Sequence, residues 1–478
     1  MVAGAISAFF GLSLLATRSN VNVIGDLADA PGLPLAAGRD YVHLADDTIS
    51  QKKHDMRLLS SIRNPKGFYN SIDVGKSEFN ILNPTILELP SGSEHEFLVI
   101  ARFPLVETEI NGRKYRLSRQ VAVFANMTYN ALQRPMLTAC KWSKRLGDQY
   151  AGPDHHCKNE PILDQHIGPE DMKLFWTRSG APLLIFTLQS KHEILCQGMF
   201  LLDARVAVPE LTRILGGHAR LMPAIQLKTP TRIRRMVPPG YENDSRYQRD
   251  KNWAPFQSPF DKNDNEHFFV VEPGRVFRWT MDNEIVEDVG ASSISAVEEP
   301  YPPWVGSSTW HSIEKTCLHD VMMADKLVHQ STPMLFLTLC NRGKCEPHED
   351  NTVMLAMVHR RYEHYSVHPH ISYDRRIVVY AAAPPYRMLS VSKKLYYLGE
   401  TDESFIWTGS MVYFFNHTNV ISNRSHGFLD DEIWLGFGIT DLAAGWLDVE
   451  ARDLVQDHNM CQGAPYNYRK NLKKNSLL

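Results

Sequence analysis

Glu170 and Asp171 stand side by side in GPEDMKLFW, after a Gly168-Pro169 turn and directly before an apolar run. Held in a pocket at a strand start, such a carboxylate can take up a proton or stabilise positive charge developing beside it. Held in water at a turn, it does neither. Adjacent residues of a regular strand point to opposite faces, so only one of the two can face a pocket unless the chain bends there. Asp171 is the first candidate for a base, with Glu170 as its neighbour. Other polar clusters occupy matching places. Asn83 precedes PTILEL, Lys251 and Asn252 precede WAPF, His329-Gln330-Ser331-Thr332 precede PMLFLTL, and Thr408-Gly409-Ser410 precede MVYFF. The five clusters recur at intervals of roughly 70 to 90 residues, room for a four-stranded unit with insertions.

The elements that must position these groups are strands. Short runs rich in β-branched and aromatic residues, such as FLVIAR, APLLIFTLQ, RRIVVYAAAP and DEIWLGFGIT, alternate with Gly, Pro, Asn and Asp. Helical patterns are scarce, with short helices expected near 208–216 (VPELTRILG) and over Asp448–Met460 (DVEARDLVQDHNM). A long, helix-poor chain of this kind suggests a propeller or a pair of β-sandwiches. In a propeller the first strand of each blade lines a central channel, so the five clusters would converge at one end of it. Otherwise they are five ordinary polar turns.

The totals narrow the classes. The chain has 478 residues, 43% hydrophobic and 22% charged, and a formal net charge of -3, without the basic excess of a nucleic-acid binder. Val2–Ala16 is uncharged, short for a span that needs ~20 residues, and suits a signal peptide or short signal anchor over residues 1–18. Residues 19–75 read as an irregular stem, 76–465 as the folded catalytic domain, and 466–478 as a basic tail. Sequons at Asn126, Asn243, Asn416 and Asn423 agree with entry into the secretory pathway. The CNRGKC stretch reads as a hairpin closed by a Cys340–Cys345 disulfide, and Cys140–Cys157 is a second candidate bridge. No C-x-x-C pair and no D-x-D flanked by apolar strands stands out, and DNDNEH around Asp264, Asn265, Glu266 and His267 reads as a polar hairpin loop. No metal is expected.

Several motifs together resemble a known group. LNPTILELP followed by FLVIAR is similar to the first blade of the five-bladed propeller superfamily that contains bacterial β-1,2-mannoside phosphorylases, with Asn83, Pro84 and Arg102 matching. GPEDMKLFW resembles its Glu-Asp-Pro-Arg signature, with Met172 and Lys173 in place of Pro-Arg. VMLAMVHRR resembles a later strand ending in His359-Arg360, and IWLGFGITDLAAGWLDV the last-blade strand ending in Asp441. DKNWAPF, HQSTPMLFLTLCNRGKCEPHEDNTVMLAMVHRRY and PPYRMLSVSKKLYYLGE resemble more closely the fungal β-1,2-mannosyltransferases, glycosyltransferase family 91. That resemblance spans residues 80–461. It implies an all-β fold, a five-bladed β-propeller with short peripheral helices, in a Golgi enzyme anchored at its N-terminus or secreted after cleavage. It also implies transfer of mannose from GDP-mannose to the 2-hydroxyl of an acceptor mannoside with inversion, in glycan or cell-wall mannan synthesis. GDP-mannose is the donor substrate, and no cofactor is implied.

Inversion in one step needs a base for the acceptor proton and stabilisation of a positively charged sugar ring. The diphosphate leaving group needs cations or N–H donors more than a protonated acid. Asp171 and Glu170 are the catalytic candidates. Arg102, Lys251, His359 and Arg360 are candidates for diphosphate or hydroxyl contacts. Asn83, Asn252, His329 and Gln330 are hydroxyl-binding candidates. Trp253 is either a sugar platform or a core residue, and Asp441 either a pocket or a turn residue. A phosphorylase or hydrolase on the same fold, or a non-catalytic glycan-binding propeller, remains the alternative. The exchange of Pro-Arg for Met172-Lys173 removes a bidentate fork and counts against phosphorolysis.

Overall fold

Short apolar runs cut by turn residues pair as antiparallel ladders, because each is long enough for one strand and too short for a buried helix. The computed structural model describes residues 56–65, 69–75, 80–146, 165–192, 195–215, 225–226, 252–260, 267–272, 275–279, 285–287, 328–363, 371–401, 404–416, 422–461, 464–475 and 477. All belong to one compact unit, residues 55–478. The segment read as signal or anchor lies outside the described residues, as do Lys251, Asn243 and Cys157.

The first strands are β1 (Met56–Leu59) and β2 (Asn70–Asp73), inside the stretch read as stem. There follow β3 (Leu82–Glu88), β4 (Phe97–Arg102), β5 (Val106–Ile110), β6 (Arg113–Leu117), β7 (Gln120–Tyr129) and β8 (Pro135–Leu146). Next come β9 (His166–Ile167), β10 (Glu170–Trp176), β11 (Pro182–His192), β12 (Leu195–Asp203) and β13 (Ile225–Gln226). A third group is β14 (Ala254–Phe256), β15 (Phe268–Glu272), β16 (Arg275–Trp279) and β17 (Ile285–Glu287). A fourth is β18 (Val328–Gln330), β19 (Leu335–Thr338), β20 (Thr352–Glu363), β21 (Ile371–Ala381), β22 (Met388–Ser392) and β23 (Lys394–Tyr397). The last is β24 (Ile406–Phe414), β25 (His426–Phe428), β26 (Glu432–Ile439), β27 (Ala443–Glu450) and β28 (His458–Met460). The described helices are short: α1 (Ala204–Ala207), α2 (Glu210–Leu215) and α3 (Tyr466–Lys474), with a 3-10 turn over Ala451–Leu454.

The molecule is thus all-β with few helices. Five runs are hydrogen-bonded in series: β3-β4-β7-β8, β10-β11-β12-β13, β14-β15-β16-β17, β18/β19-β20-β21 with β22 and β23, and β24-β26-β27 completed by β2. β2 pairs antiparallel with β27 and parallel with β8, which joins the last run to the first in one eight-stranded sheet. Apolar clusters lie between successive runs. Leu87, Leu98 and Phe124 pack with Leu174 and Trp176; Phe175 and Ile185 pack with Trp253 and Phe269; Phe256 and Val270 pack with Phe336 and Met354. Ile86, Phe97 and Val99 of the first run pack with Val412, Trp434 and Trp446 of the last. The fourth and fifth runs meet where Tyr413 donates to the Phe336 carbonyl (2.8 Å) and Tyr397 bonds Thr408 (2.7 Å).

A polar clasp reinforces the seam at β2. Asp448, 0% exposed, accepts from the Ser61 hydroxyl, the Arg63 amide (3.0 Å), the Arg63 guanidinium (2.9 Å) and the Asn70 side chain (3.0 Å). The helix expected over Asp448–Met460 does not form: Asp448–Glu450 end β27, whose residues 444–449 are buried on both faces, Ala451–Leu454 make the 3-10 turn, and His458–Met460 form β28. The helix expected near 208–216 is present as α2. At the C-terminus, Tyr468 and Leu472 are buried, so part of the stretch read as a basic tail is the helix α3.

The Cys340–Cys345 disulfide closes its hairpin, whose Gly343 has φ +75°. Cys140 is a free, exposed thiol, so the bridge to Cys157 entertained from spacing does not form. Asn416 and Asn423 are exposed in left-handed turns, whereas Asn126 lies within β7 with its Oδ1 accepting from the Glu96 amide (3.0 Å). Among the described residues no helix is long and apolar enough to cross a membrane.

Candidate functional site

The bend that the Glu170-Asp171 pair requires is present. The β10–β11 register shifts between Glu170 and Lys173, and Asp171 has φ +51°. An equivalent shift falls between Leu82 and Thr85, where Asn83 has φ +48°, and another between Thr408 and Ser410. An extra residue at a bulge bends the strand and re-aims its side chains. Left-handed φ is costly for most residues but least so for Asn and Asp, which accounts for their presence at these two points.

These starts lie at one level. Trp407 pairs with Gly438, and a Cβ at Gly438 would lie 2.0 Å from Asn83 Oδ1. Only glycine leaves room there for the Asn83 amide. Farther along, Ser410 pairs with Gly436, whose added Cβ would lie 2.8 Å from the Pro84 carbonyl. The Leu174 amide donates to Thr85 Oγ1 (3.0 Å), which is 3.5 Å from the Ser410 hydroxyl. β3, β10 and β24 are therefore laid side by side with their first residues at the same end. The buried Lys173 reaches from the second run to the fourth, with its Nζ 3.5 Å from the Gln330 carbonyl. The Thr408 amide donates to His359 Nε2 (3.3 Å), tying the fifth run to the fourth. The Met334 amide donates to the Pro255 carbonyl (3.1 Å), bringing the third run alongside.

The turn ahead of the carboxylates is pinned. Ser118 Oγ and Gln120 Nε2 both donate to the Pro169 carbonyl, at 2.7 and 3.0 Å. Glu170 and Asp171 are both half-buried, and Glu170 Oε1 lies 3.3 Å from His166 Nδ1. Glu170 is thus tied to a local histidine, a different environment from that of Asp171 in the bulge. Arg102 and Asp441 meet at 3.1 Å, with Asp441 largely exposed and itself left-handed at φ +51°. His329 lies opposite His359 in the ladder. Gln330 is fully buried and donates to the Tyr380 hydroxyl (3.3 Å), while its Oε1 has no hydrogen-bond partner. Asn252 is buried two residues ahead of β14. Arg360 is mostly buried, with its guanidinium 4.6 Å from the Tyr362 ring.

Two expectations change. Trp253 is 1% exposed and packs edge-on against Phe269 (5.7 Å), so it is the core residue of the two alternatives. His359 is fully buried, and burial, then the charges of Arg375 and Lys173, hold its pKa well below 6.5. A neutral imidazole cannot serve as a cationic contact for a diphosphate. Because its Nε2 accepts from Thr408, its proton sits on Nδ1, which is buried without a partner. Beside it, Arg375 is paired with Glu400 and stacked on Tyr397 (4.3 Å).

The sequence reading missed Trp407 and Tyr373. Trp407 is half-buried, with ring centroids 4.5 Å from His359, 5.1 Å from Tyr373 and 6.1 Å from His329. Its signal was its place immediately before the polar cluster at Thr408. Among the described residues no group of three or more His, Cys, Asp or Glu is arranged to hold a metal.

Buried histidines also make stability depend on pH. Burial lowers His267 and His426 to about 4 and His458 to about 3, and His359 is lowered as well. Their folded values lie below the unfolded value near 6.5, so their contribution is complete above that pH and is lost as pH falls through it. Each can withdraw up to about 1.4 kcal/mol per pH unit over its window. The melting temperature is expected to hold near neutrality and fall steeply from about pH 6.5 to about pH 4. A level profile in thermal scans across that range would contradict the buried, neutral state of these rings.

No protein-family model matches the chain, and no curated protein matches it. Among solved structures, a mannose phosphorylase from Leishmania mexicana aligns at 9% identity, covering 87% of this chain and 94% of its own, with a TM-score of 0.35. A GDP-Man-dependent mannosyltransferase from the same organism aligns at 10% identity, covering 84% and 94%, with a TM-score of 0.34. A glycosyl hydrolase from Bacteroides ovatus aligns at 10% identity, covering 82% and 90%, with a TM-score of 0.35. At such scores the likenesses establish no shared fold, activity or site.

Proposed function

We propose that the five runs are the blades of a propeller, and that their strand starts form one sugar pocket. In this reading the protein is an inverting mannosyltransferase that moves mannose from GDP-mannose to the 2-hydroxyl of an acceptor mannoside. The observation that carries it is the αL bulge at Asp171, at the same strand level as Asn83 and Trp407. The sequence resemblance supports the choice of sugar and donor.

Asp171 accepts the proton of the acceptor 2-hydroxyl as that oxygen attacks the anomeric carbon. The new C1–O bond forms on the face opposite the diphosphate, and the old C1–O bond breaks with its electron pair leaving on GDP. The carboxylate also stabilises the positive charge that spreads over the sugar ring in between. The proton passes from Asp171 to solvent. Lys173 and Arg102 are the cations assigned to the departing diphosphate, the latter on release from Asp441. The same reading places the chain in the secretory lumen, where the Cys340–Cys345 disulfide persists.

The test is the product formed by purified protein from GDP-mannose and β-1,2-mannobiose. A lengthened mannoside with a new β-1,2 linkage is expected by NMR. Free mannose alone would replace this reading with hydrolysis. Mannose 1-phosphate released from mannobiose in phosphate buffer would replace it with phosphorolysis. Binding without turnover would leave only a lectin.

A further inference from the structure

We propose that Trp407 is the platform on which a pyranose ring packs, with His359 and Tyr373 as positioning residues that hold it. The inference rests on the sugar-pocket reading and names a ring contact that this reading did not assign.

Trp407 differs from the fully buried Trp253, Trp434 and Trp446: it is half-buried at the first residues of β24. Half-buried rings beside it are His329 of β18 and Tyr373 of β21, and Tyr373 also contacts Phe405, two residues before Trp407. Tyr373 meets the indole at 67° and His329 at 69°, both edge-on, while His359 is tilted by 40° at 4.5 Å. The indole is therefore braced from its surroundings. His359 acts twice on it, by packing on the ring and by accepting the amide of the next residue, Thr408. Burial keeps His359 uncharged, which suits a residue that packs against an indole and does not bind a phosphate.

The chemistry beside the ring selects its ligand. Cross-strand partners point to the same face, so Trp407 and the missing side chain of Gly438 share one. The Asn83 amide fills the space over Gly438 and so lies next to the indole. Gly409, two residues beyond Trp407, sets no side chain on the ring: even a Cβ there would lie 3.7 Å from Nε1. A flat apolar surface flanked by an amide matches a pyranose, which presents C–H groups on one face and hydroxyls around its edge.

The experiment uses the full chain labelled with 5-fluorotryptophan. Its nine tryptophans give a set of fluorine resonances, of which Trp407→Phe removes one. Titration with β-1,2-mannobiose is expected to move that resonance. Trp407→Ala should weaken mannobiose binding about tenfold, and Trp407→Phe should recover part of the loss. His359→Asn should raise KM for mannobiose with a smaller effect on kcat, and a melting temperature near wild type in Trp407→Ala and His359→Asn excludes unfolding as the cause. Mannobiose that binds wild type and Trp407→Ala equally, without moving the resonance, overturns the inference and leaves the sugar-pocket reading intact. A resonance moved by GDP alone and not by mannobiose also overturns it, in favour of a base-stacking site. If neither mannobiose nor GDP-mannose binds wild type, the sugar-pocket reading fails and the platform with it.

Discussion

Asp171→Asn is expected to lower kcat for mannosyl transfer by roughly 10²–10⁴-fold and to leave the melting temperature within a few degrees of wild type. The substitution preserves shape and removes only the capacity to accept a proton. It also respects the backbone, since Asp171 sits at φ +51°, where Asn is tolerated as well as Asp. Alanine would be the poorer probe, because it adds left-handed strain to the loss of the carboxylate. Glu170→Gln is expected to act more weakly, since Glu170 is engaged by His166 at 3.3 Å. Steady-state rates at saturating donor and acceptor distinguish the two. Full activity in Asp171→Asn would remove it from the mechanism.

Asp448→Ala is expected to destabilise the fold by about 3–5 kcal/mol, the range for breaking a buried, hydrogen-bonded charge pair. The carboxylate is 0% exposed, and it satisfies Ser61, Asn70 and both the amide and guanidinium of Arg63. Ser61 and Asn70 are themselves 1% and 2% exposed, so water cannot replace the lost acceptor without opening the site. Arg63 would keep Glu432 and its packing on Phe414 (5.1 Å) and Trp434 (5.6 Å). The clasp matters beyond stability, because Asn70 opens β2, the strand that joins the last run to the first. The Asn83–Gly438 contact spans the same pair of runs, so activity should fall with the denaturation midpoint. Urea unfolding that shifts by less than about 1 kcal/mol would show the clasp to be redundant.

Much of this was legible in the chain because turn residues punctuate the strands. Asn83, Glu170-Asp171, Asn252, His329-Gln330 and Thr408 each mark the start of a run, and each lies at or just before its first strand. The bulges were not legible. Nothing local in Asn83-Pro84 or Asp171-Met172 states that the register slips there, since a bulge is a relation between two strands. The two tryptophans next to polar clusters show the same limit. Trp253 and Trp407 look alike in sequence, yet one is buried in a cluster with Phe269 and Phe277 and the other is half-buried. The Asp448–Met460 segment was misread because it is not one element: the end of β27, a 3-10 turn and β28 follow one another there, and their charged residues together mimic an amphipathic helix.

In the proposed reading one pocket at the strand starts holds the reacting sugar. A crystal structure of Asp171→Asn with GDP-mannose and β-1,2-mannobiose tests it most directly, since slowed turnover lets both ligands remain. The expected density is a mannose ring on Trp407, hydroxyls within hydrogen-bond reach of Asn83, and the acceptor 2-hydroxyl beside residue 171. Ligand density elsewhere, with the ends of β3, β10 and β24 empty, would contradict it.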